Sequence, residues 1–411
     1  MKKKTLVIIL LAVLVVSCFA LTACDDGSHG LEYVLFREEY IVTGIGTCRD
    51  TAIVIPATYK GKPVTSITSR AFYRENFSSI TIPEGVTSIG EYAFYDCPNL
   101  KSVTILSGAT SIGEYAFYEC TSLTTVTFAE DSQLTNIGHS ASIGEYAFSN
   151  CTSLTSITIP EGVTSIRSYA FDYCKGLKSV IIPSSVTSID LCAFSDCWSL
   201  TSVTFAEGVT SIGISAFQYC TSLTSITIPS SVTSIDDRAF YKCENLTTIN
   251  VDTSNKYYKS IDGNLYSKDG KKLVQYAIGK TATSFVIPSS VTSLGDYAFA
   301  DCRSLTSITI PSGVTGSIIE TFIRCSGLTS ITIPAGVTYI SSYAFDRCTS
   351  LKSVTFEDPN GWYVKWREKN TSGKWENHQR SYSATDLADP SLNANRFVGY
   401  GLTYNWYKTT N

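Results

Sequence analysis

The stretch Cys151-Thr-Ser-Leu154-Thr-Ser-Ile157-Thr-Ile159-Pro160-Glu-Gly-Val163-Thr-Ser-Ile166-Arg-Ser-Tyr-Ala170-Phe171-Asp-Tyr-Cys174 decides the fold. Ile157-Thr158-Ile159 alternates with period two, so one side of a strand is buried and the other meets water. Pro160 has no N–H to give a ladder and closes the strand. Val163 and Ile166 re-enter the core after the turn. Ala170 permits a tight bend, and Phe171 fills the wide side of a coil. The Ala-Phe pair recurs as Ala71-Phe72, Ala93-Phe94, Ala116-Phe117, Ala147-Phe148, Ala170-Phe171, Ala193-Phe194, Ala216-Phe217, Ala239-Phe240, Ala298-Phe299 and Ala344-Phe345. Thr321-Phe322 fills the same slot. Most spacings are 23 residues and one is 22; the exceptions are 31 before Phe148 and 59 before Phe299.

A unit of this length cannot cover its own apolar face, and copies stacked on one another can, so the sequence predicts a β-rich solenoid. About thirteen strand-like segments run from Ala52-Ile53-Val54-Ile55 to Ser353-Val354-Thr355-Phe356. At roughly 4.8 Å per strand they predict a sheet on the order of 60 Å long. The run Ala-Phe-x-x-Cys-x-x-Leu-x-x-Ile-x-Ile-Pro-x-x-Val-x-x-Ile resembles the BspA-like class of bacterial leucine-rich repeats over about residues 31–356. That resemblance implies a right-handed leucine-rich-repeat stack of 23-residue coils.

The expected organisation is a signal peptide at 1–23, a tether at 24–30, capping strands at 31–66, the solenoid at 67–356 and an aromatic-rich β module at 357–411. Two places depart from the pattern. Ile137 to Gly144 reads as a local duplication that should bulge, and Gly316 to Thr321 as a distorted coil. The long gap holds an insert near 250–283, where Asp262-Gly263 and Asp269-Gly270 between short apolar runs predict hairpins. The ligand spacing of a calcium loop is absent there. Strand pairs broken at Gly44-Ile45-Gly46 and Lys60-Gly61-Lys62-Pro63 should cap the first coil.

Lys2, Lys3 and Lys4 followed by the apolar run Thr5–Val16 read as a secretory signal. Leu21-Thr22-Ala23-Cys24 resembles a bacterial lipobox, which implies lipid on the Cys24 thiol and cleavage before it. The alternative is an ordinary signal cut near Ala23 with Cys24 free. Two acyl chains anchor stably where one does not, at about 0.8 kcal/mol per buried methylene. Losing residues 1–23 removes three lysines and takes the net charge from −4 to −7. No basic cluster survives, which argues against nucleic-acid binding.

Cys97, Cys120, Cys151, Cys174, Cys197, Cys220, Cys243, Cys302, Cys325 and Cys348 each stand three residues after the repeat phenylalanine. They should form one interior column of reduced thiols, since stacked side chains point the same way and not toward each other. Some disulfides, or a metal chain, are the alternatives; paired Cys-x-x-Cys motifs and nearby histidines are missing. Cys192 reads as a substituted repeat position outside the column.

No catalytic constellation emerges, and no cofactor or metal is expected. His29, His139 and His378 lie at unrelated places, and no phosphate loop or complete dinucleotide motif is present. Glu91, Glu114 and Glu145 repeat in register, which suits a solvated edge better than paired catalytic acids. The informative surface is the outward side of the strands. Thr81, Thr104, Thr127, Thr158, Thr204, Thr227, Thr309, Thr332 and Thr355 make one column. Ser79, Ser102, Ser156, Ser179, Ser202, Ser225, Ser307, Ser330 and Ser353 make the next. Threonine favours strands and serine is soluble, so drift within repeats builds such ladders; the functional reading is a concave, nearly uncharged contact face for proteins or glycans.

Residues 360–411 hold Trp362, Trp366, Trp375 and Trp406. Trp362-x-Val364-x-Trp366 and Lys374-Trp375-Glu376 read as two strands of a hairpin, and Trp362, Trp366 and Trp375 are candidates for stacking on sugars. A small core that caps the solenoid is the other use of these rings. Proteins of the resembling class are surface-exposed or secreted, and several attach to host matrix or to other bacteria. By resemblance the chain is expected to be a cell-envelope lipoprotein that binds a protein partner through the solenoid. The rivals are a structural or periplasmic spacer, an enzyme site near Trp375, His378 or Asp386, and glycan binding through the tail.

Overall fold

The computed structural model describes residues 27–132, 134, 142–369, 375–398 and 404–409. Cys24 and the centre of the local duplication lie outside them. The chain winds as a β-solenoid of about 13 turns with coils of about 23 residues. Each coil has three runs: a strand such as Ser79–Ile82, a second strand of two residues such as Ser88–Ile89, and a stretch of turns around the Ala-Phe pair. Alternation works as the sequence requires, with Ile80 and Ile82 buried and Ser79 and Thr81 facing out.

The thirteen longer strands do not form one long sheet. Their ladder is divided into sheets of 4, 3, 2 and 4 strands. The other ladder runs unbroken farther, from the capping strands to Ser234–Ile235, as an 11-stranded sheet built mostly from the Ser-Ile pairs; past the insert it resumes in separate sheets. Threonines help to lock it: the hydroxyls of Thr110, Thr187, Thr210 and Thr233 donate to carbonyls one coil back at 2.9–3.1 Å. The first break in the long-strand ladder falls beside the 31-residue spacing, between Thr125–Phe128 and Ser156–Thr158.

The third run corrects the reading of the alanine. The bends are made not by Ala170 but by Tyr169 and Tyr173, whose φ values are 59° and 57°. Ala170 and Phe171 are buried between them. The same left-handed positions recur in other coils, for example at Tyr92 and Asp96 with φ 55° and 54°. Such a conformation costs a non-glycine residue roughly 1–2 kcal/mol. Here it turns the amides of Tyr92, Phe94 and Asp96 toward the next coil, where they donate to Glu114, Ala116 and Tyr118 at 2.9, 2.7 and 2.8 Å. Three intercoil hydrogen bonds offset the two strained residues.

Most of the interior is two large apolar clusters that meet at the insert, one from Leu31 to Val274 and one from Tyr266 to Trp406. Phe72, Phe94, Phe117, Phe148, Phe171, Phe194, Phe217 and Phe240 stack ring on ring, with centroids 4.9–6.0 Å apart. The cysteines stand beside them as free, buried thiols. These thiols bond to the backbone. Cys97 Sγ donates to the Phe72 carbonyl at 3.0 Å, and Cys120, Cys151, Cys174 and Cys197 repeat this one coil on at 3.1–3.3 Å. Cysteine is small enough for the slot and gives these carbonyls a second donor; that of Phe171, for example, also accepts from the Cys174 amide at 3.3 Å. Before Cys302 the corresponding carbonyl, that of Tyr276, accepts from Gln275 Nε2 at 2.9 Å.

The insert is made of Tyr258–Ile261, Asn264–Ser267 and Lys272–Gln275, paired antiparallel in sequence. Asp262 and Gly263, with φ 49° and 73°, make the tight turn between the first two. Lys272–Gln275 then rejoins the solenoid, pairing in parallel with Ser293–Leu294. At Gly316–Ile318 the ladder with Ser293–Leu294 is lost and register shifts against Val337–Ile340, which is the distorted coil.

The tail is an extension of the solenoid. Asn405–Lys408 pairs antiparallel with Val337–Ile340 and continues that sheet into the Trp362–Lys369 and Trp375–Ser381 hairpin. Helix Pro390–Val398 closes the end, with Asn393 Nδ2 donating to the Val354 carbonyl at 3.0 Å.

Candidate functional site

The outward serines and threonines come together in register. Ser79 pairs with Ser102 and Thr81 with Thr104, and Thr104 pairs in turn with Thr127. Ser156, Thr158, Ser202, Thr204, Ser225, Thr227, Ser307, Thr309, Ser330 and Thr332 lie on the same side. Two kinds of hydroxyl are thereby separated. Thr124, Thr201, Thr247, Thr306 and Thr329 spend theirs on carbonyls one coil back at 2.9–3.1 Å. No side-chain hydrogen bond among the described residues uses the hydroxyls of the candidate columns. Sequence spacing cannot distinguish the two, because both recur with the same period.

The face is less uniform than expected. Ile181 and Val286 occupy the threonine column and are 58% and 69% exposed. The first break in the ladder opens a cleft of about 720 Å³ between the Thr125–Phe128 and Ser156–Thr158 strands. Thr127, Ser156, Thr158, Glu130 and Glu161 are among the residues that line it.

A second patterned surface escaped the sequence reading. On the turn side Tyr92, Tyr115, Tyr146 and Tyr169 stack at 4.9, 4.7 and 4.5 Å, and Tyr73, Tyr95 and Tyr118 at 5.1 and 5.0 Å. Cations sit over rings of this side: Lys175 Nζ is 4.2 Å from the Trp198 ring centre and Arg238 is 4.2 Å from that of Tyr297. Partial burial pushes the Tyr169 hydroxyl up to about 12, so it stays a donor. The signal was the tyrosine before many of the Ala-Phe pairs. Cys192 takes that slot one coil after Tyr169, with φ 53° and part of its surface covered. Beside it the column of rings gives way to buried polar groups, where Ser195 Oγ donates to Asp196 Oδ2 at 3.0 Å and burial pushes the Asp172 carboxyl up to about 7.

The tail candidates fare differently. Trp362 is only 1% exposed, packs against Phe356 at 5.1 Å and donates from Nε1 to the Asp358 carbonyl at 3.0 Å. Its ring faces are spent on the core, which removes it as a sugar platform. Trp406 is equally enclosed, stacked with Tyr382 at 4.9 Å. Trp366 and Trp375 lie opposite His378 and Lys369 in the hairpin register, and their side chains lie outside the described residues. Asp386 is occupied in a local turn, its Oδ2 accepting from the Ser383 amide and hydroxyl at 2.8 Å each. Cys24 lies outside the described residues. No cluster of three or more His, Cys, Asp or Glu side chains with metal-holding geometry occurs among the described residues. Among them no helix is long and apolar enough to cross a membrane.

Stacked coils with a ladder of repeating geometry and a broad exposed strand face define a leucine-rich-repeat protein. The chain belongs to the BspA type leucine rich repeat family, whose profile matches residues 65–142, 141–268 and 276–361. Among solved structures it is similar to a leucine rich cell surface protein of Faecalibacterium prausnitzii, at 29% identity and TM-score 0.56 over 81% of this chain and 94% of that one. A leucine-rich repeat protein of Bacteroides ovatus matches at 26% identity and TM-score 0.50, over 82% of this chain and 88% of that one. The pneumococcal vaccine antigen PcpA shares the fold at 19% identity and TM-score 0.52, with 81% of each chain covered. No curated protein matches.

Proposed function

We propose that this protein is an exported cell-envelope lipoprotein, anchored through Cys24, that binds a protein partner on host matrix or on another cell. The binding face in this reading is the strand side of the solenoid. The observation that carries it is the registered set of hydroxyls left unspent around two exposed apolar side chains, Ile181 and Val286. Protein interfaces combine an apolar anchor with polar groups free to pair across the contact, and this side supplies both. The name of the Faecalibacterium neighbour, a cell surface protein, supports the location.

The test is capture of matrix proteins and co-resident bacteria by the full-length protein on intact cells, with protease shaving to place it outside. Ile181→Glu and Thr158→Lys on the strand side are expected to abolish capture, and Tyr115→Asn on the turn side to leave it intact. Capture lost only with the turn-side variant would move the site to the tyrosines. Repeats protected from protease on intact cells would favour a scaffold inside the envelope.

A further inference from the structure

The first end of the solenoid carries an apolar run that nothing among the described residues covers. Val34, Leu35 and Phe36 are 53%, 48% and 52% exposed, and no other three consecutive large apolar residues are so exposed among the described residues. They belong to the strand Glu32–Phe36, which pairs with Glu39–Gly44 on one side and is the outer edge of the 11-stranded sheet. An open edge with apolar side chains is an aggregation site in water unless something covers it. Cations sit beside aromatic rings at the hairpin tips here: Arg37 lies 5.3 Å from the Phe36 ring centre and Lys60 5.2 Å from that of Tyr59.

A second, independent observation says what lies near this end. The expected tether at 24–30 is bound to the solenoid from Gly27 onward. Ser28 donates its amide to the Val54 carbonyl at 2.8 Å and accepts from the Val54 amide on Oγ at 3.0 Å. Thr47 donates its amide to the Gly30 carbonyl at 2.9 Å. Gly27 lies so close to Pro56 that a Cβ on it would come within 2.5 Å of that ring. Cys24 is three peptide links before Gly27, a span of at most about 11 Å. Lipid on Cys24 therefore brings this end of the solenoid to within about one headgroup layer of the bilayer.

We propose that this end is a membrane-docking surface. The Val34–Phe36 edge lies in the boundary between headgroups and acyl chains of the same bilayer that holds the Cys24 lipid, and Arg37 and Lys60 lie among anionic headgroups. Aromatic and aliphatic side chains flanked by cations suit that boundary. The coils then lead away from the membrane and present the strand side to the outside. This inference rests on the Cys24 reading and adds a contact that lipidation alone does not require.

The full-length acylated protein, reconstituted in vesicles of phosphatidylethanolamine and phosphatidylglycerol, tests it. Benzoylphenylalanine is placed at position 36 and, as a reference, at position 181; light is applied and adducts are read by mass spectrometry, with acylation of Cys24 read from the same digest. Roughly tenfold more lipid adduct at 36 than at 181 is expected from burial at the acyl boundary, and Leu35→Ser should lower it while the protein stays on the vesicles. An acylated protein with no lipid adduct at 36 overturns docking and leaves the anchor standing. An unacylated Cys24 removes both. Protein–protein adducts at 36 in place of lipid overturn the proposal in favour of a second copy on this edge.

Discussion

Replacing Phe171 by alanine probes the ladder that organises every coil. Phe171 is fully buried, stacked on Phe148 at 5.4 Å and on Phe194 at 5.2 Å. Truncating a buried phenylalanine costs about 3–5 kcal/mol, and the two stacked contacts, at about 0.5–1.5 kcal/mol each, place this one in the upper part of that range. The backbone bonds survive, since the Phe171 amide still reaches the Ala193 carbonyl at 2.8 Å and its carbonyl still accepts from Cys197 Sγ at 3.3 Å. The loss should therefore be a cavity and not an unravelled coil. In a solenoid each unit is held mainly by its neighbours, so the effect should be local. Hydrogen exchange read by mass spectrometry should show faster exchange at the amides of Phe148, Asn150, Phe171 and Tyr173, with those of Phe322 and Arg324 unchanged. A loss under about 1 kcal/mol in urea unfolding, or exchange that rises evenly along the chain, would refute a load shared through stacked neighbours.

Asp172 should make stability depend on pH. Burial, with the Asp196 carboxylate adding and the Ser195 hydroxyl opposing, raises its carboxyl from 3.8 to about 7. The folded chain holds that proton to higher pH than the unfolded chain does, so the contribution is complete below about pH 4 and is lost as pH rises through about 7. Asp172→Asn should gain up to about 4 kcal/mol near pH 8 and almost nothing near pH 4; equal gains at both would reject the buried acid. Tyr115 sits at φ 55°, so Tyr115→Val should cost about 1–2 kcal/mol more than Tyr115→Asn in thermal unfolding. An equal cost would reject left-handed strain. Burial raises the column thiols such as Cys174 well above their ordinary range, while Cys192 is only partly buried. Alkylation of the native protein should mark Cys192 first and the column only after denaturant; an intact mass short by two hydrogens per bridge would replace reduced thiols with disulfides.

The strand-side face was legible because period two assigns alternate residues to opposite sides, and Ser79 and Thr81 needed nothing more. The role of Cys97 was half legible: its place in a column followed from spacing, but its bond to the Phe72 carbonyl did not. The tyrosine ladder was written as plainly as the phenylalanine one, yet its meaning depends on a left-handed φ at Tyr92 and Tyr115 that no side-chain pattern announces. Trp362 shows the converse, a ring whose chemistry suits sugar and whose packing gives it to the core.

By itself the sequence determined the repeat, the stacking and the identity of the buried side chains, because a unit too small to hide its apolar residues has to hide them against its copies. The tertiary structure decided how far each strand ladder runs before it breaks, where one of them opens into a cleft, and which hydroxyls remain free. It also decided that the chain is fixed to the first coil from Ser28 onward. Those properties arise from hydrogen bonds between coils, whose donors and acceptors are identical backbone groups in every repeat, and only their spatial arrangement tells one repeat from the next.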